Sequence, residues 1–202
     1  LKHLIYFESL LENANNELVQ KAQAEGNLAL GYTCYHVPEA LLNVGNCFSV
    51  RLRAPHTGSI DIATYYMSNY TCEFARALVE RGIEGGYQFL DAMIGVDACS
   101  MMNRAMEHFE ILKVNDKPNF FVTHCDIPYK ITDYTLDSYV KQMRIHVLDK
   151  LTEVYGVDTS DAAIRQAVAE HNEVCSIISE MAEMRKAENP VITGYEFHVI
   201  NL

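Results

Sequence analysis

The chain has 202 residues, 49% of them apolar and 21% charged, with a formal net charge of −11. That is the balance of one globular domain, or of a domain with a helical appendage. It excludes a nucleic-acid binder, because phosphate recognition needs a basic face and no Lys/Arg cluster supplies one.

No run is apolar enough to span a bilayer and no basic-then-apolar leader opens the chain, so the expected setting is cytoplasmic, without membrane contact. The chain begins on Leu1 rather than Met, which leaves a removed leader open. Six cysteines in such a chain read as reduced thiols, metal ligands or catalytic groups rather than a disulfide framework. No CxxC or CxxH pair occurs. Zinc-finger and thioredoxin chemistry therefore fail on spacing, and any metal site must be assembled from distant loops.

In chain order, apolar positions recur at three and four from about Leu4 to Ala24, without Gly or Pro, which predicts a helix. "NLALGYTCYHVPEALLNVG" predicts a short strand, a turn at Cys34-Tyr35-His36, and a helix opened by Pro38 and closed by Gly45. "CFSVRL" is a second strand. Residues 57–82 are mostly helical, with a break before Cys72 left open. Gly85-Gly86 turns the chain into a strand over 91–97, followed by a helix through Leu112. "NFFVTHCDIP" supplies another strand, ended by Pro128.

Strands alternating with helices at this spacing predict an α/β fold with a doubly wound parallel sheet over residues 1–130. Ligands of such sheets sit beyond the carboxyl ends of the strands. Cys34, Cys99 and Cys125 each follow directly on an apolar run, which puts all three on that edge. Cys47 begins its strand and belongs to the opposite edge. Chance is the competing explanation, since cysteine is among the most buried residue types.

Residues 131–189 predict a long helical hairpin. Leu136, Tyr139, Val140, Met143, Val147, Leu151 and Tyr155 trace one apolar stripe, and Ile164, Val168, His171, Cys175, Ile178 and Ala182 trace a second beyond the turn at 156–160. His171 and Cys175 lie within that stripe and are expected in the core. "VITGYEFHVI" then predicts an unfinished strand, so residues 190–202 are expected to start a second α/β domain.

These residues resemble a known family. "GYTCYHVPEALLNVGN" is similar to the Gly-Tyr-x-Cys-x-x-x-Pro-Glu segment near the start of the 2-hydroxyacyl-CoA dehydratase and benzoyl-CoA reductase superfamily, within it the D-component-like subunits. "CEFARALVERG" and "FLDAMIGVDACSMM" look like the segments that carry that family's first two cluster cysteines, here Cys72 and Cys99. "AAIRQAVAEHNEVCSIISEMAEMRKAENPVITGYE" is similar to its Asn-x-x-Arg helix and the Pro-x-x-x-Gly-x-Glu that follows, except that Cys175 stands where many members have arginine. The likeness runs in order along nearly the whole chain.

The resemblance implies a subunit with two linked α/β domains, of which this chain is the first, holding a 4Fe-4S cluster between them. Cys72 and Cys99 would be two ligands, and a third cysteine would lie beyond residue 202. The implied reaction removes water from an (R)-2-hydroxyacyl-CoA. An ATP-dependent iron–sulfur activator protein delivers one electron, a ketyl radical anion forms on the thioester, hydroxide leaves, and the electron returns. Soft thiolates suit such a cluster. The implied partners are the acyl-CoA substrate, a paralogous dehydratase subunit and the activator.

Glu39 is either a first-turn carboxylate facing the helix dipole or a general acid or base. His36 is either an exposed turn residue or a hydrogen-bond donor to the substrate. Ser59 and Asp61 read as an N-cap and a first-turn acid, and Arg76 as a neutraliser of cluster charge or a partner of a surface carboxylate. Cys34 and Cys125 read as pocket-lining or buried thiols. An acyl-CoA reductase, a double-cubane cluster reductase, a non-catalytic relay subunit and a binding module whose cysteines only pack remain the alternatives.

Overall fold

Four short apolar runs form the strands β1 (Leu28–Tyr32), β2 (Cys47–Arg51), β3 (Ala92–Val96) and β4 (Phe121–Cys125) in a computed structural model that describes residues 2–202. All neighbours pair in parallel, in the order β2-β1-β3-β4. The register sets Leu30 against both Ser49 and Ala92, and Val96 against Cys125. Every residue of β3 is buried, as a central strand covered on both faces must be.

The helices are α1 (Lys2–Leu11), α2 (Glu17–Ala24), α3 (Asp61–Tyr66), α4 (Glu73–Ile83), α5 (Ser100–Ile111), α6 (Asp133–Met143), α7 (Asp149–Tyr155), α8 (Asp161–Met184) and α9 (Gly194–Asn201). The first face of the sheet packs Ala29, Val50, Leu52 and Met93 against α2, α3, α4 and α5. Alternate residues, Leu30, Tyr32, Ala92, Ile94 and Val96, pack on the second face against a 3-10 turn at Glu39–Asn43, α7 and α8. The sheet is thus doubly wound, as the alternation of strands and helices predicts. Gly95 lets α5 approach closely, since a Cβ there would lie 2.9 Å from Met106 Cε and 3.0 Å from His124 Cδ2.

Several local expectations are corrected. The single helix expected over 4–24 is two, because Asn16 starts a new one by accepting hydrogen bonds from Leu18 N (3.0 Å) and Val19 N (3.1 Å). The helix expected after Pro38 is only the 3-10 turn. Residues 57–82 break into α3 and α4, with Cys72 as the N-cap of α4. The strand expected over 191–200 is the helix α9. Its capping box decides this: Thr193 Oγ1 accepts from Glu196 N (3.2 Å) while Glu196 Oε2 accepts from Thr193 N (2.8 Å).

Where the hairpin is expected, α6 and α7 are joined by a π-helical turn at Arg144–Leu148, and left-handed Gly156 (φ 68°) ends α7 before α8. Its second stripe does not pack as expected. Ala167 is the buried residue of α8, while Val168 and Cys175 are exposed and His171 is half-buried. A helix of 24 residues is about 36 Å long, whereas five-residue strands span about 17 Å, so α8 outruns the sheet that would bury it.

Candidate functional site

β1 lies between β2 on one side and β3 on the other, so the chain leaves its carboxyl end toward one face and that of β3 toward the other. A parallel sheet opens a crevice at such a switch point. Cys34 follows β1, Cys99 follows β3 and Cys125 ends β4, all on this edge, while Cys47 begins β2 on the opposite one. Burial then separates them. Cys125 is fully buried, and desolvation, then the charge of Asp126, pushes its thiol up to about 11. Cys34 is half-buried, and Cys72 and Cys99 are exposed.

Cys72 and Cys99 are the N-caps of α4 and α5. These helices pack with their C-terminal ends together, since a Cβ on Gly82 of α4 would lie 3.4 Å from Phe109 Cζ of α5 and from Val114 just past it. Their N-termini therefore share the carboxyl edge of the sheet. Cys72 Sγ accepts from Ala75 N at 3.4 Å. Two exposed soft donors at the positive ends of two helices suit an anionic iron–sulfur group, so the residues present could supply two of its ligands. Among the described residues, no three His, Cys, Asp or Glu side chains converge to hold a metal.

Arg76, one turn into α4, donates from Nε to Thr71 O (3.1 Å) and from Nη1 to Thr64 Oγ1 (3.4 Å) rather than to a carboxylate. Ser59 and Asp61 behave partly as expected: Asp61 is a first-turn acid and Ser59 Oγ accepts from Asp61 N (3.2 Å), but Ile60 holds the cap position.

Glu39 lies on the other face, on the wall of a cleft of about 730 Å³ between the sheet and α8. Its carboxylate accepts from Ser49 Oγ (3.1 Å), and Asn43 Nδ2 donates to the same hydroxyl (3.0 Å). Asn43 Oδ1 in turn accepts from Ser49 N (3.0 Å), which fixes the group. Tyr32 lines the same cleft, and burial first, then the Glu39 charge, pushes its phenol well above the ordinary tyrosine value. Across the cleft, Cys175 Sγ lies 3.4 Å from His171 Nε2. His36 is exposed in the turn beyond β1, where its backbone carbonyl accepts from Tyr139 Oη at 3.3 Å.

The structure thus gathers Cys72 and Cys99 at one edge, and Glu39 with Tyr32, Asn43, Ser49 and Arg51 in a cleft on the second face. The last four escaped the sequence reasoning. A signal was present: in 47–52, Cys47, Ser49 and Arg51 alternate with the apolar Phe48, Val50 and Leu52, which sets three non-aliphatic side chains on one face.

An α/β domain with two exposed N-cap cysteines at the sheet's carboxyl edge is the class these features define. Residues 34–202 match the family described as 2-hydroxyglutaryl-CoA dehydratase, D-component, and the chain belongs to that family. It is 21% identical over 176 residues to the (R)-2-hydroxyglutaryl-CoA dehydratase subunit beta of Acidaminococcus fermentans, covering 83% of this chain and 45% of that protein. It is 18% identical over 187 residues to the (R)-phenyllactyl-CoA dehydratase beta subunit of Clostridium sporogenes, covering 93% of this chain and 49% of that protein. The chain spans about half the length of these curated relatives.

Proposed function

We propose that this chain is the iron–sulfur part of a 2-hydroxyacyl-CoA dehydratase subunit, acting on an (R)-2-hydroxyacyl-CoA through a ketyl radical after ATP-driven one-electron activation. The observation that carries this reading is the shared position of Cys72 and Cys99, two exposed N-cap thiols on neighbouring helices at the carboxyl edge, in a chain of the dehydratase family. A 4Fe-4S cluster bound there would pass on the single electron that the reaction borrows and returns.

Cys72 and Cys99 would be two of its ligands, and a third cysteine outside this chain would complete the set. The positive ends of α4 and α5 face its negative charge. Arg76 adds a cation one turn away and is held in place by Thr71 and Thr64 rather than neutralised by an acid.

Loss of hydroxide from the α-carbon must be followed by removal of a β-proton, and both steps need positioned proton donors and acceptors. Glu39 is the base. Ser49, itself held by Asn43, donates to its carboxylate, while Tyr32, kept neutral by burial, stands beside it as a hydrogen-bond donor. His36, exposed at the carboxyl end of β1, donates to the thioester oxygen or the departing hydroxyl. A paralogous subunit and an ATP-dependent activator complete the system.

The test is iron and acid-labile sulfide per subunit in full-length protein purified without oxygen, beside Cys72→Ser and Cys99→Ser. About four irons in the wild type, lost in both variants, is the expected result. Wild-type protein without iron would return both thiols to simple surface chemistry.

A further inference from the structure

Arg51 and Arg53 stand two residues apart at the carboxyl end of β2. The chain carries 27 acidic against 16 basic side chains, so arginines here have acids in plenty to pair with. Five ion pairs form among the described residues, and neither Arg51 nor Arg53 takes part in one. Nε and Nη1 of Arg53 are shielded from solvent and meet no acceptor. Hidden guanidinium donors without a partner are costly, and a second cation nearby adds repulsion. Burial, and then the charge of Arg51, accordingly pushes Arg53 below the ordinary arginine value.

The backbone beneath this pair is fixed. Leu52 N donates to Tyr32 O (2.7 Å), which carries the ladder one residue past β2, and Leu52 is buried in the first-face core. The buried Tyr87 donates from Oη to Arg53 O at 2.8 Å. Arg51 lies with its Cζ 4.1 Å from the Tyr35 ring centroid, a stack that holds the guanidinium while leaving its N–H edges available. Arg51 also lines the cleft that contains Glu39, whose opposite wall includes the apolar Val174 and Ile178 of α8. At about 730 Å³ the cleft falls within the range of about 300–1,000 Å³ usual for small-molecule sites.

We propose that Arg51 and Arg53 form a phosphoryl-binding site at the mouth of this cleft, which takes the phosphates of the acyl-CoA; the choice of CoA rests on the dehydratase reading above. A phosphate on the open N–H edges of Arg51 offsets the repulsion that Arg51 exerts on the neighbouring Arg53. Planar, permanently charged arginine suits phosphate better than the point charge of lysine. The apolar α8 wall then faces the uncharged pantetheine arm, which leads the thioester inward toward Glu39. This places positive groups for a polyanionic substrate within a chain whose net charge would otherwise repel it.

The test is calorimetric titration of the assembled full-length enzyme with CoA, with pantetheine, which lacks the phosphates, and with pyrophosphate. Arg53→Met, Arg53→Lys and Arg51→Gln are compared with wild type, and Tm is followed with and without pyrophosphate. The expected result is at least a tenfold loss of CoA affinity in Arg53→Met and Arg51→Gln, a smaller loss in Arg53→Lys, and unchanged pantetheine binding. Pyrophosphate should raise the Tm of wild type but not of Arg53→Met. If Arg53→Met itself unfolds, Arg51→Gln, at a side chain on the cleft wall, still decides the question. Equal CoA affinity in wild type and in Arg51→Gln would overturn the phosphoryl site and leave the acyl-CoA reading standing. Wild type that binds pyrophosphate through Arg51 and Arg53, but not CoA, would uphold the site and overturn the acyl-CoA reading.

Discussion

Cys72 and Cys99 occupy the same structural position, the N-cap, on two helices that run side by side with their C-terminal ends in contact. The intervening residues include all of α4 and all of β3, which carries the chain back to the same edge it left. A strand flanked by two helices is thus the device that sets two distant thiols on one rim.

Exposure divides the six cysteines into groups that react at different rates. Treating cluster-free protein with iodoacetamide at neutral pH should label Cys72, Cys99 and Cys175 first, Cys34 more slowly, and Cys47 and Cys125 only after unfolding. Peptide mass spectrometry over a time course reads this order. Early labelling of Cys125 would contradict its burial at the end of β4.

Glu39→Gln tests the proposed role of Glu39 as the base. The substitution keeps the shape and the hydrogen bond from Ser49 but removes the proton acceptor. A loss of about 10²–10⁴ in kcat is expected for a general base, with little change in Tm. Retained kcat would leave Glu39 as a carboxylate of structural use only.

Alkaline stability follows from the buried thiols. Desolvation comes first for both: it pushes Cys47 to about 12 and Cys125 to about 11, from an ordinary 9.0. Because the folded values are raised, the folded state keeps these protons while the unfolded chain releases them. Their contribution is fully present below pH 9 and is lost as pH climbs from there through the folded values. Urea midpoints should therefore fall between about pH 9 and 11, and Cys125→Ala should flatten that decline even if it lowers stability at pH 7.

The N-cap of α2 offers a plain stability check. Asn16→Ala removes acceptors for Leu18 N and Val19 N and should cost about 1 kcal/mol, read as a lower urea midpoint with an unchanged slope. No change in catalysis is expected, because α2 covers the first face at the amino end of β1.

The sequence by itself determined the parallel, doubly wound sheet and the edge on which Cys34, Cys99 and Cys125 lie, since apolar runs alternating with helical spacing leave few other topologies. It also carried the family likeness in the segments around Cys34, Cys72, Cys99 and Asn172. The tertiary structure decided what local pattern could not. Whether Cys175 and His171 are core depended on how far α8 outruns five-residue strands, not on their helical spacing. Whether residues 191–200 form a strand or a helix was settled by a reciprocal cap at Thr193 and Glu196 and by packing of α9 against α1. The company of Glu39 was likewise invisible: Ser49 reaches it from β2, and Arg51 lies in the same cleft because parallel pairing brings that strand beside β1. Periodicity fixes which face a residue takes within its own element, whereas burial depends on the length and position of whatever covers that face.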